Sequence, residues 1–470
     1  MKLYIDNINV KVKKANQKEH NALSNSMAFH VPNYQHMPRY KMGMWDGKKR
    51  FYHKGYKTFP TGLLSFVFQL AKKKKFKVKA IDKRIPFPIS KKRINKYKKK
   101  LRDYQKIEID KILASTLKGL KWIRGIVKHP TRSGKTFVCA ALAGILNRPT
   151  LVIVGNLSLL YQTQADFKKI LKHPIGVIGD SHFKIEKVTI STIQTLWARK
   201  DRKVVQDYIA SIDVLILDEC HHDSNKGIYH NIIDACPAYY RFGFSGTPLS
   251  RGDLGDIQLI GDTGEIISTV KRKYLEKHGW ISIAKVQIKK IEFPTLKPRM
   301  QYQKAYKIGI VENQERNAEI IAEAKSAHFN DKVHVLILVK RLKHGYDLVN
   351  WLRGEGVKTV FIHGESSIDK RKKILKKMKS SDNPIVAVAT SVFDEGVTMP
   401  EIRKLIMAGG GASRNKSIQR VSRGLNSKAD GENILDVLDF EDNIHPILEE
   451  HSMERIAAYT QEGFKVMRDE

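Results

Sequence analysis

Two short stretches of the sequence carry residues that can handle a nucleoside triphosphate. The first, VKHPTRSGKT at residues 127–136, ends in Gly134, Lys135 and Thr136 and is followed by an apolar segment. A loop of this kind between a strand and a helix cradles phosphates with its backbone N–H groups. Its lysine reaches the β- and γ-phosphates, and its hydroxyl binds Mg²⁺. The loop therefore predicts a site for ATP and Mg²⁺.

The second stretch, LILDECHH at residues 215–222, is a short apolar strand that ends in two carboxylates. Strand ends at the edge of a parallel sheet are where such folds bind ligands. We expect Asp218 to hold the Mg²⁺ and Glu219 to polarise the attacking water. In this order along the chain, the two stretches predict a motor that hydrolyses ATP.

Apolar stretches of strand length alternate with amphipathic stretches of helical length twice along the chain. This pattern predicts two doubly wound parallel-sheet α/β domains, because strands buried on both faces read as continuous apolar runs. Only the first repeat contains a phosphate loop. We expect strands at 122–127, 150–154, 187–192 and 214–217 in the first domain, and at 333–339, 359–362, 385–389 and 404–407 in the second.

The length of the chain and the limits of the two repeats predict three domains. They are expected at residues 1–97, 98–268 and 269–470. Three further stretches complete the prediction: a helix over 104–117, a linker over 264–290 and a helix over 447–463.

The first hundred residues hold 27 of the lysines and arginines against only four acids. Aromatic residues alternate with the basic ones, and a turn signal at 46–47 separates short strands, which predicts a small basic α+β module. We expect its lysines and arginines to contact nucleic-acid phosphates and some of its rings to stack on bases. For any single ring, a place in the core of the module is the simpler interpretation.

The net charge of +37 predicts a polyanionic partner for the whole chain, and nucleic acid is the commonest. No apolar run approaches the ~18 residues of a membrane-spanning helix, so we expect no membrane partner. The three cysteines, Cys139, Cys220 and Cys236, show no pairing pattern. They favour a reducing compartment, and we expect a cytoplasmic protein.

Further motifs, in order, resemble those of superfamily 2 helicases. RDYQ at 102–105 is similar to the Q motif, 129–136 to motif I, TISTIQT at 189–195 to motif Ic, DECH at 218–221 to motif II, 245–247 to motif III, TSVFDEGVTMP at 390–400 to motif V and QRVSRG at 419–424 to motif VI. The resemblance implies two tandem RecA-like domains with ATP between them. WDGKKRF, FPTGLL and VENQERNAEI additionally resemble phage UvsW-type branch-migration helicases.

The resemblance also implies roles for individual residues. Around ATP it places Gln105, Thr131, Ser133, Gly134, Lys135, Thr136 and Gly396. It makes Arg423 the arginine finger, with Arg420 as a second candidate. Nucleic-acid contacts fall on Thr192, Thr195, His363 and Thr390, and coupling between the two sites falls on His221, Ser245 and Thr247.

Two positions of the phosphate loop depart from the family pattern. His129 stands where members usually carry Ala or Gly, and Arg132 stands where they usually carry Gly. The implied activity is that of an ATP-dependent DNA helicase or translocase acting on forked and junction DNA in replication, recombination or repair. An RNA helicase and the motor subunit of a restriction or repair nuclease remain alternatives. If the chain is phage-encoded, the expected location is the host cytoplasm.

Overall fold

The computed structural model describes residues 1–220, 228–249, 254–291, 295–364, 373–374, 376–378, 383–390, 402–428 and 432–469, without the side chains of Asn415, Lys416 and Arg423. The chain divides into two compact units. The first comprises Met1–Pro130 and Gly134–Val270, and the second comprises Lys271–Glu470 together with Thr131–Ser133. Within the described residues, no helix combines the length and the hydrophobicity that crossing a bilayer requires.

A small α+β module opens the first unit, as predicted. Its strands are β1 Lys2–Ile5, β2 Asn9–Lys13, β3 Ala28–His30, β4 Lys48–Arg50, β5 Thr58–Pro60 and β6 Lys79–Asp82. Four of them form a mixed sheet in the order β5-β2-β1-β6, and β3 pairs with β4 separately. Strand β2 alternates buried valines with exposed lysines, so one face of the sheet packs on the helices Gln17–Ser26 and Leu64–Lys73.

The rest of the first unit is a doubly wound sheet. Its strands are β7 Thr116–Leu117, β8 Leu120–Lys121, β9 Gly125–Lys128, β10 Thr150–Val154, β11 Gly176–Gly179, β12 His182–Lys184, β13 Val188–Thr192, β14 Val214–Asp218, β15 Tyr240–Ser245 and β16 Ile266–Thr269. Eight of them run in the order β12-β11-β13-β10-β14-β15-β9-β16, and every neighbouring pair except β11–β12 is parallel.

The helices of this unit lie mainly between those strands in sequence. They are Lys91–Lys98, Asp103–Leu113, Lys135–Leu146, Leu157–Leu171, Ile193–Ala198, Lys203–Ala210, Ile228–Asp234 and Leu254–Asp262. The central strands β10 and β13 are buried along their whole length, as expected for strands covered on both faces.

The second unit is a seven-stranded sheet in which every neighbouring pair is parallel. Its order is β19-β20-β18-β21-β22-β17-β23. The strands are β17 Ile283–Lys290, β18 Val335–Leu338, β19 Thr359–Ile362, β20 Val386–Ala389, β21 Lys404–Ile406, β22 Ile434–Glu441 and β23 Lys465–Arg468. The helices include Arg272–Lys277, Tyr302–Tyr306, Gln314–Phe329, Leu342–Gly354, Arg414–Arg423 and Pro446–Glu462.

Two sequence predictions of secondary structure are wrong. The helix expected over 104–117 ends at Leu113, because β7 and β8 form a hairpin whose turn residues, Lys118 and Gly119, both have positive φ. The linker expected over 264–290 instead contains β16, a short helix and β17. Strand β17 pairs with β22 along all eight of its residues, so this segment is part of the second sheet.

Candidate active site

The phosphate loop joins β9 to the 12-residue helix Lys135–Leu146. Gly134 caps this helix in the left-handed conformation, with φ of 76°. A Cβ atom at Gly134 would lie 2.7 Å from Nε2 of Gln105, so glycine is required both by conformation and by space. The N-terminus of this helix provides the setting that binds anionic phosphate groups.

The backbone conformation at Arg132 suits the glycine that the family pattern has at this position. Its φ is 67°, in the left-handed region. A non-glycine residue held there carries about 1–2 kcal/mol of strain. The loop thus retains its turn without the glycine, at a cost in backbone energy.

The two carboxylates lie where the sequence predicts them. Asp218 is the last residue of β14, and its Oδ1 accepts a hydrogen bond of 3.0 Å from the backbone N–H of Glu219. The ammonium group of Lys135 forms an ion pair with the carboxylate of Glu219. The structure therefore brings the phosphate-loop lysine and the strand-end acids together.

These charges shift each other's protonation. Burial raises the pKa of Asp218 to about 6; the Lys135 ammonium opposes this shift and the Glu219 charge adds to it. Burial alone would lower the pKa of Lys135, but the carboxylates of Glu219 and Asp218 outweigh it, so that pKa is raised. Lys135 therefore stays charged, as its predicted role of holding phosphate oxygens requires.

The residues present fit ATP and Mg²⁺. Mg²⁺ prefers hard oxygen ligands and is commonly held by one or two protein side chains together with substrate phosphates. The Asp218 carboxylate at the strand end and the Thr136 hydroxyl in the first turn of the helix are such ligands. The ion pair between Lys135 and Glu219 shows that this place accommodates opposite charges in contact.

Gln105 lies in the first turn of the helix Asp103–Leu113 and contacts the phosphate loop directly. Its Oε1 accepts a hydrogen bond from the backbone N–H of Arg102 at 3.0 Å, and its Nε2 donates to the carbonyl of Gly134 at 3.4 Å. The residue is buried. The helix that carries Gln105 is thereby tied to the loop that the lysine belongs to.

A second link between the same helix and the loop was not predicted. His129, the first of the two departures from the family pattern, places Nε2 2.5 Å from Oε2 of Glu108. Ser268 donates from its hydroxyl to the other Glu108 oxygen at 3.3 Å. The pairing joins residues 21 positions apart on different elements, so nothing in the local sequence signals it.

Strand β15 lies between β9, which leads into the phosphate loop, and β14, which ends in Asp218. Ser245 is the last residue of β15 and therefore lies between the loop and the acids. The backbone N–H of His129 donates to the carbonyl of Ser245 at 2.8 Å. The hydroxyl of Ser245 in turn accepts from the backbone N–H of Thr247 at 3.1 Å. The phosphate loop is therefore hydrogen-bonded directly to the start of the 245–247 segment.

The residues predicted to contact nucleic acid fall into two pairs, one in each unit. In the first unit the hydroxyls of Thr192 and Thr195 are 2.8 Å apart, at the end of β13. In the second unit His363 and Thr390 directly follow β19 and β20, which are neighbouring strands of the sheet. Each pair lies at the carboxyl edge of its own sheet.

Some of the predicted site residues cannot be placed. His221 and Gly396 lie outside the described residues, as does the side chain of Arg423. Arg420 is half-buried on the helix Arg414–Arg423. Thr131 and Ser133 both lie in the phosphate loop, and Ser133 is buried.

The loop before the Arg414–Arg423 helix is held by side chains that the sequence did not single out. Arg316 donates to the carbonyl of Ala408 at 2.6 Å, and the Tyr306 hydroxyl donates to that of Gly409 at 2.6 Å. Arg455 donates to the carbonyl of Gly411 at 3.0 Å. The only sequence signal was VENQERNAEI, which contains Arg316.

Two buried carboxylates keep those arginines in place. Asp439 accepts from Nε of Arg455 at 2.9 Å, and Asp442 accepts from Nε of Arg316 at 3.1 Å. Burial opposes charge on Arg455, but the carboxylates of Asp439 and Asp442 outweigh it and raise its pKa. The network therefore holds the chain at the entry to the helix Arg414–Arg423.

Three family models match the chain. "Type III restriction enzyme, res subunit" matches residues 98–250, "Helicase conserved C-terminal domain" matches 313–427, and "DNA helicase UvsW, N-terminal" matches 3–82. The first covers the first α/β sheet except β16, and the second covers β18, β19, β20 and β21 of the second sheet. The third covers the basic module.

Among curated proteins the chain is similar to "ATP-dependent DNA helicase uvsW" of Enterobacteria phage T4, with 25% identity over 94% of this chain and 93% of that protein. It is also similar to "DNA 3'-5' translocase XPB2" of Sulfurisphaera tokodaii, with 25% identity over 73% of this chain and 81% of that protein.

Among solved structures, a fragment of a putative HsdR subunit of a type I restriction enzyme from Vibrio vulnificus is similar in fold. Its TM-score is 0.59 at 16% identity, over 81% of this chain and 71% of that one. This likeness concerns the fold alone.

Proposed function

We propose, from the premise that this chain is an ATP-hydrolysing DNA helicase of superfamily 2, that it acts on forked and branched DNA. The observation that carries the proposal is the contact between Lys135 and Glu219 beside Asp218, at the end of β14. The basic N-terminal module supports the preference for branched DNA, because it adds a second positively charged surface to a motor that otherwise follows a backbone.

In the proposed reaction Lys135 and the backbone N–H groups of residues 134–136 hold the phosphates of ATP. Glu219 accepts a proton from the attacking water and orients it, once the phosphates have drawn Lys135 away from it. Gln105 holds the adenine end through its position beside the loop. Thr131 and Ser133 complete the loop around the phosphates.

Thr136 and Asp218 would hold Mg²⁺. The bound ion would neutralise charge on the phosphate oxygens, and this is the chemistry that it supplies. A pKa of about 6 at Asp218, raised by burial, means that the carboxylate is largely ionised at neutral pH and competent as a ligand.

We assign to Arg423 the neutralisation of the charge that develops on the transferred phosphoryl group, with Arg420 as the second candidate and Gly396 as part of the nucleotide contact. An arginine in this role contributes about 10³–10⁵ in rate. The buried network around Arg455 supports the assignment, because it fixes the loop from which the Arg414–Arg423 helix begins.

Movement along DNA would follow from the coupling of the nucleotide state to the grips on the backbone. Ser245 and Thr247, with His221, would relay that state, which the hydrogen bond from His129 to Ser245 supports. Thr192, Thr195, His363 and Thr390 would contact the phosphates of one strand. Phosphate contacts carry no sequence information, so the enzyme is expected to act on any sequence.

The experiment that tests the proposal measures ATP hydrolysis with no nucleic acid, with linear duplex DNA, with forked DNA, with a mobile four-way junction and with RNA. We expect the junction and the fork to stimulate hydrolysis most. We also expect branch migration to convert the junction into separate duplexes. Lys135→Ala should abolish hydrolysis and keep DNA binding, whereas the exposed Lys169→Ala on the helix Leu157–Leu171 should match the wild type.

Equal stimulation by linear and branched DNA would refute the preference for branches. Stimulation by RNA alone would favour the RNA-helicase alternative. The match of the module to the UvsW N-terminal model supports DNA over RNA.

A further inference from the structure

A loop of the N-terminal module presents two methionines to solvent. It comprises residues 31–47, between β3 and β4, and is called the tip loop below. Met42 is 70% exposed and Met44 is 74% exposed, on either side of Gly43 at the apex. Two apolar side chains this exposed and this close together form a candidate contact surface.

The tip loop is held in one shape by its own base. The ring of Tyr34 stacks on His30, with centroids 4.3 Å apart, and meets the edge of Tyr40 at 4.7 Å. Gly47, at φ of 73°, has no room for a Cβ atom, which would lie 2.2 Å from the Tyr34 ring. The indole N–H of Trp45 donates to the carbonyl of Lys48 at 3.0 Å. The methionines are therefore displayed on a structured support.

The surroundings of the methionines are positively charged. Arg39 and Lys41, in the short helix before the apex, are exposed and form no ion pair within the described part of the chain. The single acid of the loop, Asp46, is paired with Arg50, whose hydrogen bonds lower the pKa of Asp46 to about 2, so its negative charge is matched by that arginine. This charge fits a polyanion and disfavours a basic or neutral protein surface.

The module is joined firmly to the sheet of the first unit. Gly62 approaches so closely that a Cβ atom would lie 1.9 Å from the carbonyl oxygen of Ile260. Arg124 donates to the carbonyl of Asn7 at 2.8 Å and to that of Asp262 at 3.2 Å, so it ties the module to the end of the helix Leu254–Asp262. The module and the sheet of the first unit are therefore linked by direct contacts between described residues.

We propose that the tip loop is a strand-separating wedge, in which Met42 and Met44 pack against unstacked bases at a DNA branch point while Arg39 and Lys41 hold the flanking phosphates. This inference rests on the proposed function and names the element that engages the branch. Methionine is among the apolar side chains that proteins insert between base steps, and its flexible thioether adapts to any base. The wedge is therefore independent of sequence, like the motor.

The test uses the full-length chain with Met42→Gln and Met44→Gln combined, which removes the apolar surface without changing charge or side-chain length. Met467→Gln, at the 52% exposed Met467 of β23, is the matched control. A forked DNA with 2-aminopurine at the branch reports unstacking by its fluorescence. ATP-dependent unwinding of the same fork and hydrolysis stimulated by single-stranded DNA are measured in parallel.

We expect wild type and control to raise the 2-aminopurine fluorescence on binding. The double variant should lose this rise and unwind the fork about tenfold more slowly, as expected when contacts to one or two unstacked bases are lost. Its hydrolysis with single-stranded DNA should stay at the wild-type rate, because the motor residues are untouched.

Two results would overturn the wedge alone: normal unwinding and fluorescence in the double variant, or a defect confined to self-association measured by light scattering. The latter would make the surface a protein contact. A wild-type protein whose ATP hydrolysis ignores DNA would overturn the proposed function and the wedge with it.

Discussion

The buried contact between His129 and Glu108 gives the sharpest test of how the phosphate loop is held. His129 is 0% exposed and Glu108 2% exposed, with 2.5 Å between Nε2 and Oε2. Replacing His129 with Ala removes the partner of a buried Glu108 oxygen, and a buried polar group left without its hydrogen bond costs about 1–3 kcal/mol. That is a substantial part of the ~5–15 kcal/mol by which a domain is stable. The Ser268 hydrogen bond offsets only part of this cost.

The assay is hydrogen exchange at the amides of the helix Asp103–Leu113, combined with steady-state kinetics. We expect His129→Ala to raise exchange in this helix and to raise the KM for ATP more than it lowers kcat, because Gln105 loses its fixed place beside the loop. Glu108→Gln, which retains a hydrogen-bond acceptor, should be milder. Ile107→Ala, at the 52% exposed Ile107 of the same helix, is the control.

A double-mutant cycle isolates the pair. His129→Ala combined with Glu108→Ala should destabilise less than the sum of the single changes, by about 0.5–3 kcal/mol. Additive effects, or a His129→Ala enzyme with unchanged exchange and unchanged KM, would refute the argument that this pair joins the helix to the loop.

Three other perturbations have defined outcomes. Gly62→Ala should loosen the module and expose its junction to limited proteolysis, whereas Gly55→Ala, whose nearest neighbour atom is 3.4 Å away, should not. Burial, with a smaller contribution from a nearby arginine, lowers the pKa of His344 to about 3, and its neutral ring is hydrogen-bonded to Asn317 at 2.9 Å. The neutral ring therefore contributes stability above pH 6.5 that is lost as pH falls towards 3. Urea unfolding should show up to about 4–5 kcal/mol of stability lost over this window, and His344→Gln should flatten this pH dependence. Arg455→Ala should leave the buried carboxylates of Asp439 and Asp442 without this arginine and so reduce ATP turnover. Arg455→Lys should restore part of the turnover. Hydrolysis rates and thermal unfolding measure both effects.

Much of the fold follows from local pattern. The strands Thr150–Val154 and Thr359–Ile362 have the bounds that the sequence predicts, because apolar runs between helices are the mark of a doubly wound sheet. The RecA-like pair of sheets and the basic α+β module are confirmed. The division at residues 97/98 and 268/269 stays a prediction.

The errors arise where tertiary contacts outweigh local pattern. Strand Ile283–Lys290 alternates apolar residues with lysines and glutamine, so it does not read as a strand buried inside a parallel sheet. It becomes one because Ile434–Glu441 and Lys465–Arg468 flank it, and they lie about 150–180 positions later. No local signal carries that information.

The same distinction separates the parts of the site. Lys135, Asp218 and Glu219 could be proposed for the site from the sequence because short motifs at strand ends contain them, and the structure brings them together. The pair His129–Glu108 and the network around Arg455 join elements far apart in sequence, so only the structure reveals them. The departure of His129 from the family pattern was visible, but its partner was not.

Displacement of a bound triplex strand from duplex DNA tests most directly whether hydrolysis at this site drives movement along DNA. The wild type should displace the strand at a rate that rises and falls with ATP hydrolysis. Glu219→Gln should bind ATP and DNA and displace nothing. Displacement by Glu219→Gln at the wild-type rate, or rapid hydrolysis by the wild type without displacement, would contradict the account.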